Sequence, residues 1–491
     1  MELNQTSICC YDRRLARIST CTESADTIVP DSLPDVGRVV CAFGSAAVRD
    51  QTPQSGRLLV SGVVQTTVLY EPEQGGGLRR LQVPVSFAHI EECDGLDAEA
   101  VCAVCCRVAS VEATAVNSRK LNVRVQLCMD LTCYGKTECE VTEGVSLPEL
   151  ELRSELQAVT LIEQACAYPL TVLDDVTIEQ EGGAALLHAG CSLRATECRA
   201  MHGKAVVKGE ADIRCLALQE DGAVRVLSSQ TPFTQIWDLP DAEDGDAVDA
   251  QLAVREVDCR LEEGGLLSYT VSAGAVLTLR RPRALRRIDD LYVPGRTLQL
   301  QQEDTVLHSL PPLAPFGAEA SENLPTAQHV SHVVWADGVC CGARRGEADT
   351  LQLTAAVQVL YLDDDQRLCA VQRMLPLSMS CAAEGEACRL ALAVRAAPAG
   401  ESGLLATVTA AGMASPETRY AFRHILSAAA EGEPQDRGGV TLLLRYVGAE
   451  EPLWEMAKRC GTTVAAIRQA NALPDETESV SGTMLLIPLR A

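Results

Sequence analysis

Twenty-two cysteines, seven histidines and 67 carboxylates give this 491-residue chain ample material for metal, redox or nucleophilic chemistry. Their spacing decides whether any of it is assembled. The segment CAVCC places Cys102 and Cys105 at the CxxC spacing of a zinc loop, but no second CxxC and no CxxH completes a tetrahedral set. Three positions apart on a strand, the two sulfurs would face opposite sides. His329 and His332, in QHVSHVV, lack a third ligand in the same way. Asp363–Asp365 crowd carboxylates into a turn, where a calcium-binding turn and a plain solvated turn both remain open and the second is expected. The motifs GxSxG, GxxxxGK[ST] and HExxH do not occur. These residue types read as those of a binder, with no catalysis, no metal and no cofactor.

Composition narrows what could be bound. With 42 basic and 67 acidic residues the formal charge is −25, so nucleic acid and anionic lipid would be repelled over most of the surface. Aromatic residues, at 3%, are too few for extended base-stacking platforms. A local basic run, Arg280, Arg281, Arg283, Arg286 and Arg287, is expected to be a solvated turn or strand end. The opening segment CCYDRRLARISTCTES breaks any apolar signal core with Asp12, Arg13, Arg14 and Arg17, and no apolar run approaches the roughly 18 residues of a membrane helix. A cytosolic location is expected. There the thiols would be free and mostly buried, as at Cys128 in VQLCMDL and Cys215 in DIRCLAL. Later oxidative cross-linking through Cys9–Cys10 or Cys340–Cys341 stays open.

The chain is too long for one core and should divide into about three or four domains. Three stretches share one pattern: GRLLVSGVVQTTVLYEPEQGGGLRRLQVPVSF, GKAVVKGEADIRCLALQEDGAVRVLSSQTPF and DTLQLTAAVQVLYLDDDQRLCAVQRMLPL. Aligned on Gly62, Gly209 and Ala355, they lie 209 − 62 = 147 and 355 − 209 = 146 residues apart. Each reads as a β-hairpin, with Val64, Thr66, Val68 and Tyr70 alternating in the first copy and a polar turn in each. The second strands end at Ser86-Phe87, Pro232-Phe233 and Pro376-Leu377.

A further strand pair follows each hairpin, with Leu121, Leu267 and Leu405 at equivalent places after the turns NSRK, EEGG and GESG. The fold class expected is mainly β: three antiparallel sandwich- or barrel-like domains of about seven strands each. They span residues 1–150, 151–300 and 301–432, and a small βααβ domain at 440–491 follows. The acidic piece Lys136–Glu155 should carry the first junction. LPPLAPFGAEASENLP, within Tyr292–Pro325, reads as a Pro-rich connector, and Ala428–Gly439 as a polar linker.

The tail is explicit. VTLLLRYV (Val440–Val447) is a strand, Pro452 opens a helix and Glu450 and Glu451 favour its N-terminus. Leu453, Met456 and Ala457 form the apolar face of that helix, with Trp454 alongside. Gly461 ends it and Thr463 caps a second helix that buries Val464 and Ile467 and closes at Asn471. TMLLIP returns as a strand.

Leu453-Trp454, Ala457-Lys458, Thr463-Val464, Ile467, Asn471 and Leu485–Pro488 make this tail resemble a LysM domain. That family grips N-acetylglucosamine with a Gly-Asp-Ser/Thr loop before Leu-Trp and a Pro-Gly before the last strand. Here Glu450-Glu451-Pro452 and Ser481-Gly482 stand in those places. The pattern RLLVSGVVQTTVLY…VPVSF…SRKLNVRVQL resembles SPOCS domains of spore-coat-associated proteins. The first copy matches best, and the third has Ala355 for the glycine and Leu377 for the phenylalanine. Three such copies followed by a LysM are similar to the layout of the SipL-type spore morphogenesis family.

What the resemblance implies is a non-enzymatic coat-assembly scaffold in the mother-cell cytosol at the forespore surface. Its LysM would bind a SpoIVA-like coat morphogenetic ATPase, and other coat proteins remain possible partners. The partner face would comprise Glu450, Glu451, Pro452, Trp454, Lys458, Arg459, Asn471 and Leu473. The alternative is a peptidoglycan- or cortex-binding protein that uses the same module.

Overall fold

A computed structural model describes residues 2–177, 184–220, 222–262, 265–347, 349–400, 402–432 and 439–489. Alternation sets its strands. Val64, Thr66, Val68 and Tyr70 share one buried face, none more than 1% exposed. They lie on β3 (Arg57–Pro72), which pairs with β2 (Val36–Gln54) and β4 (Arg79–Glu92). β1 (Glu2–Ile28), β5 (Val101–Asn117) and β6 (Lys120–Ser146) form a facing sheet in the order β1-β6-β5. Apolar side chains of both sheets interlock between them, which is sandwich packing.

The same order recurs downstream. β8 (Ala184–Met201), β9 (Lys204–Gln219) and β10 (Val224–Asp238) pack across a second core from β7 (Glu151–Thr177), β11 (Ala247–Leu261) and β12 (Leu266–Tyr292). In the third stretch, β13 (Thr297–Ser309) and β14 (Ala314–Pro325) precede the sheet of β15 (His332–Arg345), β16 (Thr350–Leu362) and β17 (Leu368–Ser380). β18 (Glu386–Pro398) and β19 (Gly403–Ser415) complete it around a third core, while β20 (Thr418–Glu431) pairs with β13, and its Phe422 joins a cluster with Leu307, Ile8 and Leu161. The expected seven strands per copy are therefore six, six and eight among the described residues. The sheets are open, and none closes into a barrel.

The eight arise from six by interruption. β1, β6, β7 and β12 are each 27 residues long, and β1 with β6 and β7 with β12 form two extended antiparallel pairs. In the third copy Pro311 and Pro312 separate β13 from β14, and Pro416 separates β19 from β20. A proline has no N–H for the ladder, so a long antiparallel pair divides there into two shorter ones, β13 with β20 and β14 with β19. Leu310–Pro325, expected as a connector, is thus mostly the strand β14. Lys136–Glu155 is strand on both sides of a break at 147–150. Of the third linker, Ala428–Glu431 ends β20 and residues 433–438 lie outside those described. The turns after Leu261 and Ala399 likewise include positions outside the described residues, namely 263–264 and 401.

Register explains one repeated pair. Gly62 lies opposite Phe87, and Gly209 opposite Phe233. A Cβ on Gly62 would come within 2.1 Å of the Ala47 carbonyl oxygen, and one on Gly209 within 2.4 Å of Phe233 Cζ. The glycine therefore makes room for the ring across the ladder. In the third copy Ala355 faces Leu375, and Leu377 faces Leu353, so the expected Ala355–Leu377 correspondence is displaced by two residues. The Leu405 equivalence also fails: Leu121 and Leu267 are fully buried, whereas Leu405 is 40% exposed and Leu404 takes the inner position. One step along a strand reverses the face.

The three sandwiches join. Tyr11 pairs with Ile162, which links the long-strand sheets of the first and second copies into six strands. Elsewhere Phe43 of β2, His188 of β8 and Trp335 of β15 stack in one aromatic group, and Arg214 lies 4.2 Å from the centre of the Trp335 ring. Leu69 and Leu216, each seven residues past its aligned glycine, meet beside it with Leu360. The basic run of β12 differs from expectation: Arg281 and Arg283 pair with Glu163, but Arg280 is buried at 3% exposure.

Candidate partner-binding site

The tail forms as its local signals require. β21 (Leu442–Val447) leads to the short β22 (Glu451–Pro452), α1 (Leu453–Cys460) and α2 (Val464–Ala470). β23 (Ser479–Val480) pairs with β22, and β24 (Thr483–Pro488) pairs with β21. Gly461 adopts the left-handed conformation at φ 61° and closes α1, its N–H bonding to carbonyls of that helix. Thr463 Oγ1 accepts from the Ala466 N–H at 3.1 Å and caps α2. Leu453, Met456, Ala457, Ile467, Leu485 and Ile487 make its core. Pro452 stands one position earlier than expected, as the extended N-cap residue of α1.

The eight expected contact residues separate into three groups. Trp454 and Lys458 face the chain's own body. The Trp454 indole N–H donates to Asp290 Oδ2 at 2.7 Å, and Lys458 Nζ reaches both Asp290 oxygens at 2.8 Å. The Tyr292 ring meets Trp454 edge-on at 5.0 Å, and the Arg153 guanidinium lies 5.3 Å from the Trp454 ring centre. Tyr292 also donates to the Thr462 carbonyl at 2.9 Å. Burial works to raise the Asp290 pKa, but hydrogen bonds from Lys458 and Trp454 outweigh it and hold the carboxyl below its ordinary value.

Asn471 and Leu473 hold the module together. The Asn471 carboxamide donates to the carbonyls of Ile467 and Leu486 and accepts the Leu486 N–H at 2.7 Å, so it ties α2 to β24. Leu473 packs against the tail core. Glu450, Glu451, Pro452 and Arg459 form the remaining rim. Arg445 at 2.9 Å and Arg459 both hold Glu451. Glu450 accepts from Ser479 Oγ at 2.6 Å and is otherwise exposed.

A larger feature lies on the outer face of the tail sheet. Leu442, Leu444, Tyr446, Met484 and Leu486 are between 36% and 63% exposed, and Leu444 pairs with Leu486 and Tyr446 with Met484. The face is continuous and bears no charge. VTLLLRYV already carried the signal, because both alternate rows of the strand are rich in apolar residues while the helices cover only one. Beside the module, an open polar groove of about 530 Å³ runs between α1 and the start of β13, lined by Arg296, Arg423, Lys458 and Arg459 among others. Asp290, Tyr292 and Arg153, which anchor the tail, lie at least 162 residues before Trp454, as 454 − 292 = 162 shows, and no local pattern marks them.

Comparison with known families places one stretch directly. Residues 185–262 match the family model described as SipL, SPOCS domain. The match runs from the start of β8 to the end of β11, so the second sandwich is similar to a SPOCS domain of the SipL type. No curated protein and no solved structure matches the chain.

Proposed function

We propose that this chain is a non-enzymatic scaffold of spore-coat assembly. It comprises three SPOCS-type units, at about 1–150, 151–300 and 301–432, and a LysM-like tail at 440–491 that engages a SpoIVA-like coat morphogenetic ATPase at the forespore surface of the mother cell. The SipL-type match supports the sporulation setting, and the repeated strand order supports extending it to the first and third units. The observation that carries the partner reading is the uncharged apolar face of β21 and β24. Such a patch on a soluble surface suits a protein partner better than a polyhydroxylated sugar.

The loop that would hold a sugar supports the same choice. Glu451 is fastened there by two arginines, and Pro452 replaces the small hydroxyl residue of a glycan site. The test co-expresses the full chain with the basement-layer ATPase and recovers the complex. Leu444→Lys with Tyr446→Lys on the outer face should reduce recovery at least about tenfold, the loss expected when a buried apolar anchor of 1.4 kcal/mol or more is removed. Unchanged recovery would set the proposal aside, as would cosedimentation of the full chain with purified sacculi that those substitutions leave intact.

A further inference from the structure

The three sandwiches also meet at a small, partly open cavity lined by Arg13 of β1, Thr132 and Tyr134 of β6, Gln251 of β11, Arg280 of β12 and Arg389 of β18. Each arginine sits at an interruption of its ladder. The register of β1 shifts between Arg13 and Leu15, that of β12 between Leu279 and Arg280, and that of β18 between Cys388 and Ala391. Arg389 itself has φ 54°, a left-handed conformation rare outside glycine. Bulges re-aim side chains, and here they gather guanidinium groups from all three copies of the fold.

Their partners do not balance. Arg13 bonds Glu417 at 2.8 Å and Ser415, and Arg389 takes both oxygens of Asp249. Arg280 is 3% exposed, forms no ion pair with a described carboxylate, and donates through Nη1 only to the neutral carbonyls of Leu310 and Pro311 at 3.0 and 2.8 Å. Its Nε is buried and has no protein partner. Burial lowers the Arg280 pKa; Asp249 opposes this, while Arg389 and Arg13 add to it. A buried cation without a counter-ion is among the costlier arrangements in a protein.

Gln251, 4% exposed, completes the site. Its Nε2 lies 3.3 Å from Thr132 Oγ1, and its Oε1 has no partner. A half-turn of the carboxamide lets the Thr132 hydroxyl donate to Oε1 and turns the amide N–H groups toward the cavity. Donors from Arg280 and Gln251 then converge on a space that holds one water-sized occupant.

We propose that this cavity binds one small monovalent anion of halide size, held by Arg280 and Gln251, which serves as the counter-ion at the junction of the three sandwiches. Phosphate and carboxylate ligands are too large for it. The anion would bind only when all three copies are assembled, so it should stabilise the folded chain by mass action.

The test is thermal unfolding of the full chain in sodium chloride, sodium bromide and sodium gluconate at one ionic strength. The midpoint should rise by roughly 2 °C for each tenfold increase in chloride or bromide and stay flat in gluconate. Arg280→Met and Gln251→Leu should each flatten the halide response. A wild-type midpoint indifferent to halide, as expected if a water fills the cavity, overturns the proposal. So does a halide response that survives in both variants. If neither variant folds, the wild-type comparison of halide with gluconate decides.

Discussion

Gly209 and Phe233 show how much one residue pair constrains a copy of this fold. The ring lies over the glycine so closely that a methyl group would meet Cζ at 2.4 Å and the Arg194 carbonyl oxygen at 2.7 Å. Gly209→Ala should therefore cost about 1–3 kcal/mol, the usual range for overpacking, measured by urea unfolding. Phe233→Leu in the same chain should recover part of that loss, because the third copy carries alanine and leucine in this region and has no ring to accommodate. A neutral Gly209→Ala would show that the close approach is not a constraint.

At the scale of elements, α1 is held to β12 by one carboxylate. Asp290 receives the Trp454 indole and the Lys458 ammonium together. Asp290→Asn should weaken docking by about 1–2 kcal/mol, given that Lys458 is partly exposed. The readout is faster hydrogen exchange across Leu453–Cys460, with the core of the second sandwich unaffected. The same contact should respond to acid. A carboxyl held below its ordinary value of 3.8 contributes fully above that pH and loses its contribution as pH falls through the lower folded value. Protection of α1 should thus fall below about pH 4 before the sandwiches unfold. Retained protection in Asp290→Asn would mean that the stack of Tyr292 on Trp454 suffices alone.

For the molecule as a whole, the aromatic junction of the three copies carries a titratable group. His188 lies between Phe43 and Trp335, and burial, with help from Arg214, lowers its pKa from 6.5 to about 4. Between those values the unfolded chain binds a proton that the folded chain refuses. Stability from this site is complete above pH 6.5 and is lost progressively as pH falls toward 4. The denaturation midpoint should drop across that window, and His188→Phe should make the drop shallower while keeping the stack. An unchanged slope would place the titration elsewhere. The junction also bears on assembly: three cores joined by this contact, by the Tyr11–Ile162 pairing and by the apolar cluster of Ile8, Leu161 and Phe422 should unfold together more than separately.

Much of this was readable in the residues, for a local reason. The alternation at Val64–Tyr70, the paired Gly and Phe positions, the cap at Thr463 and the stop at Gly461 each act within a few residues, where chain geometry alone decides the outcome. Where two outcomes differed by one step of register, as at Leu404 and Leu405, composition could not choose between them, because both faces offered a leucine. The prolines near 311 and 416 were visible, but that they divide a long antiparallel strand pair rather than form a connector depended on their partners across the sheet. The arginines at 280 and 389, the Asp290–Trp454 contact and the His188 stack join residues from distant parts of the chain. Their burial, charge balance and hydrogen bonding arise only when complete sandwiches pack together, so tertiary structure alone decided them.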